Sequence, residues 1–251
     1  MKKTEAYCVN RCFEPSGPFD FLMDRHYLLY ALQGLLRVET NRQLWTLPPA
    51  RAALIRAGSH VKVTVLSRIE SASVLFAADF IESPEQGVSV FDMSRLAIEL
   101  VRECRRWTSD SQPLGDYAKR MFGTLGMVTC RLALAPTPCV LPVASSPELQ
   151  KAIRLTESRS NTSPSFGKIA HDSGQSPRAL ARRFKEELGM TWSEMLRRIR
   201  IIRAVETLAQ SRASVTEIAQ SVGYSSLSGF NAAFKDLMQK TPTQYRASFH
   251  K

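Results

Sequence analysis

A pattern that occurs twice near the C-terminus restricts this chain more than any other feature. Ile169-Ala170-x-x-x-Gly174 leads into Ser176-x-x-x-Leu180-x-x-x-Phe184-Lys185. Further along, Ile218-Ala219-x-x-x-Gly223 leads into Ser226-x-x-x-Phe230-x-x-x-Phe234-Lys235. Each copy predicts a short helix, a tight glycine turn and a second, capped helix. That order is the helix-turn-helix, whose second helix lies in the major groove of duplex DNA. Two copies imply a chain that reads DNA at two adjacent turns.

Each residue type has a physical reason to stand where it does. Ala170 and Ala219 are small where two helices cross closely. Gly174 and Gly223 fall where the first helix must stop, and glycine tolerates the left-handed backbone of such a stop. Ser176 and Ser226 are good N-caps. Pro177 follows at the first helical position, where its missing N–H costs nothing. Leu180, Phe184 and Leu188 recur every four residues, as do Phe230 and Phe234, and form the inward stripe of each second helix. Away from that stripe the first such helix carries Arg178, Arg182, Arg183 and Lys185. Arginine matches both guanine edges and phosphates.

A plain helical bundle with a basic, solvated face would show some of these features. Charge favours the nucleic-acid reading. Residues 147–251 hold 17 Lys and Arg against 9 Asp and Glu, a net +8, whereas the rest of the chain carries +3. The excess cation therefore sits on the repeated part, as a phosphate-binding surface requires.

This half of the chain resembles the DNA-binding domain of the AraC/XylS family of bacterial transcription regulators. The resemblance runs from Pro164 to Phe249. It includes the segment Trp192-Ser193-Glu194-Met195-Leu196-Arg197-Arg198-Ile199-Arg200-Ile201-Ile202-Arg203-Ala204, which in the family is a long helix joining two helix-turn-helix units. It ends on Thr241-Pro242-x-x-Tyr245-Arg246, close to the family's Ser/Thr-Pro-x-x-Tyr-Arg. The resemblance implies DNA contacts from Ser176, Arg178, Ala179, Arg182, Arg183 and Lys185 in the first unit. In the second it implies Ser225, Ser226, Ser228, Gly229, Asn231 and Lys235. Three departures stand out. Trp192 occupies a place often held by Pro, and Gln239 one often held by Gly. Ala232 stands where some members place a base-contacting Arg. The face left around it, Ser228, Gly229 and Asn231, is small and weakly polar, so the first unit is expected to do most of the base reading.

A chain of 251 residues has room for two ordinary domains. Its five cysteines, Cys8, Cys12, Cys104, Cys130 and Cys139, form no C-x-x-C framework and read as free thiols of a reducing cytoplasm. Cys8 and Cys12 have the spacing of two zinc ligands or a redox pair, but no second ligand pair lies near them. No run reaches the ~18 apolar residues of a membrane-spanning helix. Met1-Lys2-Lys3 is not followed by an apolar core, so no signal peptide is expected.

Residues 27–77 are strand-like. Tyr27–Leu32 is apolar and Gln33-Gly34 makes a turn; Leu35–Thr40 follows, then the polar turn Asn41-Arg42-Gln43 and Leu44–Leu47 before Pro48-Pro49. Val61-Lys62-Val63-Thr64-Val65 alternates cleanly. Short strands with closely spaced turns predict a small β-sandwich or barrel. The turn order resembles the cupin-type effector domain of many AraC-family members, carried by Leu28-Leu29-Tyr30-Ala31-x-x-Gly34, Trp45-x-x-Pro48-Pro49-x-Arg51-Ala52 and Ala57-Gly58-Ser59-His60. Metal-binding cupins use a His-x-His cluster that aligns here with Phe21 and Met23, neither a usual ligand for a hard metal. His60 and His26 are isolated and read as surface or hydrogen-bonded histidines. Neither a metal nor another cofactor is expected.

Residues 93–108 and 112–130 are periodic and predict two helices. Leu96, Leu100 and Cys104 mark the apolar face of the first; Tyr117, Met121, Leu125 and Val128 mark that of the second. The resemblance implies that such helices form a dimer interface; covering one side of the barrel is the alternative. Pro136–Val143 reads as a stiff, extended linker. A helix over 147–158 then begins the second domain, with Ser146 as N-cap and Pro147 at the first position.

The expected architecture is thus a multi-domain chain of α and β type. Residues 1–135 form a cupin-like β-barrel with a helical hairpin, 136–146 a linker, and 147–251 an all-α domain of two helix-turn-helix units. The expected function is a sequence-specific DNA-binding regulator, cytoplasmic and homodimeric, that responds to a small-molecule effector and, by family resemblance, works with RNA polymerase. Two rivals remain. A cupin-type enzyme lacks the histidine cluster and any Gly-x-Ser-x-Gly motif, so no catalytic residue is assigned. An effector-free DNA-binding protein would have a packed, dry barrel.

Overall fold

The computed structural model describes residues 5–111, 113–137 and 139–247. Met1–Lys3, Pro138 and Phe249, which figured in the readings above, lie outside them. The chain divides into two compact units: Met1–Thr40 with Trp45–Thr137, and Asn41–Leu44 with Pro138–Lys251.

The first unit is built from β1 (Ala6–Val9), β2 (Cys12–Phe13), β3 (Ser16–Leu22), β4 (Arg25–Leu29), β5 (Ala31–Gln33), β6 (Leu36–Glu39), β7 (Gln43–Leu47), β8 (Arg51–Ile55), β9 (His60–Val65), β10 (Ile69–Ser71), β11 (Ser73–Ala77) and β12 (Val88–Asp92). One sheet runs β1-β11-β4-β8-β12 and a second β2-β10-β5; in a third, β7 is followed by β6, β9 and β3. The partners across β11, β8, β10 and β9 are antiparallel. Strands β8 and β11 are buried along their whole length, so they read as continuous apolar runs. Strand β9 alternates, with Val61, Val63 and Val65 inward and His60 and Lys62 exposed.

Among the described residues no sheet closes on itself: β1 and β12 end the first sheet, β2 and β5 the second. The antiparallel β-architecture is present, but as open sheets rather than a closed barrel. The helical pair covers one face of the first sheet, so that its apolar side chains are buried without closure. Helix α2 (Asp116–Ala133) packs on β12 and β8, and α1 (Arg95–Cys104) packs on α2. Ser94 caps α1 by accepting from the Ala97 N–H at 3.1 Å.

The inward faces of this helical pair are Ala97, Leu100, Val101 and Cys104 against Ala118, Phe122 and Leu125, joined to Leu28, Leu54, Phe76 and Phe91 of the sheet. Leu96 and Tyr117, expected on those faces, are both 57% exposed. Leu100, Cys104 and Leu125 face inward as expected, with Met121 and Val128 partly buried against the core, but Ala97 and Ala118 take the first contact because they allow close approach where larger side chains would hold the helices apart.

His26 is buried; its Nδ1 accepts from the Ala57 N–H at 3.1 Å and its Nε2 lies 3.2 Å from the Ala78 carbonyl. His60 pairs with Asp20 at 3.0 Å on an exposed edge. The cysteines described are all free thiols, and burial pushes Cys8 and Cys104 up to about 12. Among the described residues no three His, Cys, Asp or Glu come together as a metal site. Among the described residues no helix is long and apolar enough to cross a membrane.

The second unit is helical. Its helices are α3 (Pro147–Ser158), α4 (Phe166–Asp172), α5 (Pro177–Leu188), α6 (Trp192–Gln210), α7 (Val215–Ser221), α8 (Leu227–Met238) and α9 (Pro242–Ala247). The segment expected as a stiff, extended linker is extended in part and paired. Its residues Leu141–Pro142 form β13, in register with Leu44 and Gln43, and Arg198 donates to the Val140 carbonyl at 2.9 Å. Ser146 does stand at the N-cap of α3, but its side chain does not cap. Its hydroxyl and N–H donate instead to Glu187 of α5, at 2.5 and 2.9 Å. Burial raises the Glu187 carboxyl, yet these bonds and the Ser145 N–H outweigh it and hold the pKa below the usual range.

Helix α8 ends on Gln239, whose φ of 56° is left-handed; Gly189 takes the matching place after α5. A side chain there costs about 1 kcal/mol. Gln239→Gly is therefore expected to raise stability by about 0.5–1 kcal/mol, less what the Gln239 side-chain bond to the Asp236 carbonyl contributes. Denaturant unfolding reads this directly, and a lowered midpoint would show that the side-chain bond outweighs the strain.

Candidate nucleic-acid interface

Both helix-turn-helix units form where the motif places them. Helix α4 stops at Gly174, whose φ is +79°, and α7 stops at Gly223, whose φ is +90°. The turn then closes on the small residue of the first helix: the Gln175 N–H donates to the Ala170 carbonyl at 2.9 Å and the Tyr224 N–H to that of Ala219 at 3.0 Å. Ser176 accepts from the Ala179 N–H at 3.2 Å, and Ser226 from the Gly229 N–H at 3.1 Å. These bonds satisfy amides that no helical carbonyl can reach. The second turn is one residue longer, because Tyr224-Ser225 stands where the first has only Gln175.

The buried stripes hold each second helix on the core. Leu180, Phe184, Phe230 and Phe234 are fully buried. In the second unit Phe230, Phe234 and Tyr245 stack in series at 5.7 and 5.8 Å between ring centroids. Tyr245 comes from the Thr-Pro-x-x-Tyr-Arg ending, and Arg246 donates to the Ala213 carbonyl at 2.6 Å.

On α5, a rotation of about 100° per residue puts Arg178, Arg182 and Lys185 within about 60° of one another. All three are exposed. Arg182 has a loose i,i+4 contact with Glu186 at 3.9 Å, both side chains being more than half exposed, which holds it only weakly. Arg183 lies about 100° further round than Arg182. It faces Glu148 of α3 at 3.8 Å and Glu187 at 3.6 Å, also loosely, with its side chain 37% exposed. Ala179 is half-buried beside the Ser176 cap.

On α8 the outward residues are Ser228, Asn231, Ala232 and Lys235, all exposed; Gly229 is exposed at the helix start and Ser225 in the turn before it. The place matching Arg178 is Ser228, and that matching Arg182 is Ala232. The two candidate surfaces therefore differ in reach, not in position.

Further residues anchor the helices without being part of the expected contact set. Trp192 begins α6; its indole N–H donates to Thr156 at 3.0 Å and its ring lies 5.3 Å from Phe166. A proline could make neither contact. Thr191 and Glu194 form a capping box at the same helix start, a Thr-x-x-Glu spacing visible in the sequence. Arg197 reaches Asp236 of α8 at 2.8 Å.

Residues 169–248 match a family model described as a helix-turn-helix domain. A transcriptional regulator from Chromobacterium violaceum, described as of AraC-type DNA-binding domain, is 31% identical over 42% of this chain and 94% of its own, with a TM-score of 0.41. Residues 169–248 thus carry a helix-turn-helix domain similar to those of AraC-type regulators. The HTH-type transcriptional regulator NimR of Escherichia coli strain K12 is 24% identical over 88% of this chain and 79% of its own length. The HTH-type transcriptional regulator GlxA of Rhizobium meliloti strain 1021 is 41% identical over 31% of this chain and 24% of its own. The domain and these relatives support the function of a DNA-binding transcriptional regulator.

Proposed function

We propose that this protein is a one-component regulator whose helical unit reads a two-part DNA site and whose β-unit binds a small molecule. The observation that carries the reading is the paired, capped presentation of α5 and α8, with Arg178, Arg182 and Lys185 on one exposed face. Ser176, Ala179, Arg183, Ser225, Ser226, Ser228, Gly229, Asn231 and Lys235 complete the proposed contact set. The β-unit is read as a cupin-like effector domain that carries no catalytic residues or metal and works in the cytoplasm. A groove of about 530 Å³ between α2 and residues 80–86, lined by Phe80, Ile81, Met127 and Leu134 among others, is large enough for a small ligand. The ligand must bind one arrangement of the protein more tightly than another to change anything. Leu96, Tyr117, Met127 and Leu134 are the exposed apolar side chains that a homodimer contact through the two helices would cover. RNA polymerase is the proposed partner at the promoter.

The test is the salt dependence of duplex binding. A surface that neutralises several phosphates loses affinity steeply as salt rises, roughly as a power of the salt concentration set by the number of contacts. Affinity is expected to fall by at least tenfold between 50 and 200 mM salt. Weak binding that is equal at both concentrations would overturn the proposal.

A further inference from the structure

One arginine outside both recognition helices touches segments from both halves of the helical unit. Arg200 lies midway along α6. Its Nε donates to the Ser160 carbonyl at 2.8 Å, and its Nη2 donates to the Thr162 carbonyl at 2.5 Å. Both carbonyls lie where the chain leaves α3 and heads into α4, and Ser160 is fully buried. On another side the guanidinium stands 5.5 Å from the centre of the Tyr224 ring. Tyr224 belongs to the turn of the second helix-turn-helix. Beside it Gly223 packs so closely that an added Cβ would lie 2.8 Å from the Ser160 carbonyl oxygen and 2.9 Å from Arg200 Nη2.

Two recognition helices that read adjacent turns of one duplex need a fixed rotation and separation. A connecting helix fixes its own axis but not the angle at which each unit joins it. The Arg197–Asp236 pair also ties α6 to α8, yet its side chains are 42% and 64% exposed, and such pairs hold weakly. The Arg200 junction is different. A planar guanidinium offers in-plane donors to two carbonyls and a flat face to an aromatic ring, so it fixes position and rotation together. A lysine ammonium has three donors but is a point charge with no plane, so it cannot fix the rotation.

We propose that Arg200 is a positioning residue that locks the two helix-turn-helix units into one register and so sets the half-site spacing the protein accepts. This rests on the DNA-reading function proposed above. The experiment uses the full chain and a duplex that the wild type recovers from a randomised pool. One or two base pairs are then inserted or deleted between its half-sites. Each base pair turns one half-site relative to the other by about 35°.

The wild type is expected to lose at least tenfold in affinity per inserted pair. Arg200→Ala and Arg200→Lys are expected to flatten that loss to about threefold or less, with base preference inside each half-site unchanged. Tyr224→Ala should act in the same direction and less strongly. A uniform weakening at every spacing, with the wild-type profile retained, overturns the proposal and leaves Arg200 a simple stabiliser. Should Arg200→Ala not fold, Arg200→Lys and Tyr224→Ala decide the matter by the same profile. A wild type that recovers no preferred sequence overturns the DNA-reading function itself, a result distinct from an unchanged profile in the variants.

Discussion

Arg182→Ala is expected to relax base preference in one half of the bound site while leaving the other half as it was. Arg178 and Arg182 stand one turn apart on the exposed face of α5, and neither is held firmly within the protein. A good arginine–guanine contact discriminates against the wrong base by about 1–3 kcal/mol, so the loss should be about 5- to 150-fold in preference at that base. Asn231→Ala in α8 should change preference in the second half by much less, because Ser228 and Ala232 give that face little reach and Lys235 is better suited to phosphate. Binding selections on randomised duplexes with both variants decide this. If Arg182 touches phosphate alone, its loss will weaken all sequences equally and leave the preference untouched.

Phe234→Ala is expected to cost about 3–5 kcal/mol, the usual range for emptying a phenylalanine site in a core. Phe234 is fully buried and sits between Phe230 and Tyr245 in the stack that holds α8 and α9. The cavity removes the support of the second recognition helix, so thermal unfolding should begin in the helical unit at a lower temperature. A loss below about 1 kcal/mol would mean that the stack collapses around the gap and supports little.

The helix-turn-helix pair was legible because its grammar is local. Gly174 and Gly223 stop a helix, Ser176 and Ser226 start one, and apolar residues every four positions fix which side faces inward. The strand segments before residue 27 were not legible. Strand β3 is mostly exposed and contains Gly17 and Pro18, which read as turn residues, while β1 and β2 are very short. On the helical pair Leu100, Cys104 and Leu125 were legible as inward residues, but Leu96 and Tyr117 outweigh Ala97 and Ala118 on any apolar count although the small residues make the contact. Within the candidate site, the exposed arginines were identifiable by type. The loose contact of Arg183 with Glu148 was not, since Glu148 lies on a different helix. Arg200 was hidden for a related reason: it binds backbone carbonyls, which every residue has.

Capture of genomic fragments by the wild-type protein tests the central claim most directly. The account predicts enriched fragments that share two half-sites about one helical turn apart, one with strong guanine preferences and one weakly defined. Fragments with no shared sequence, or two half-sites defined equally sharply, would contradict it.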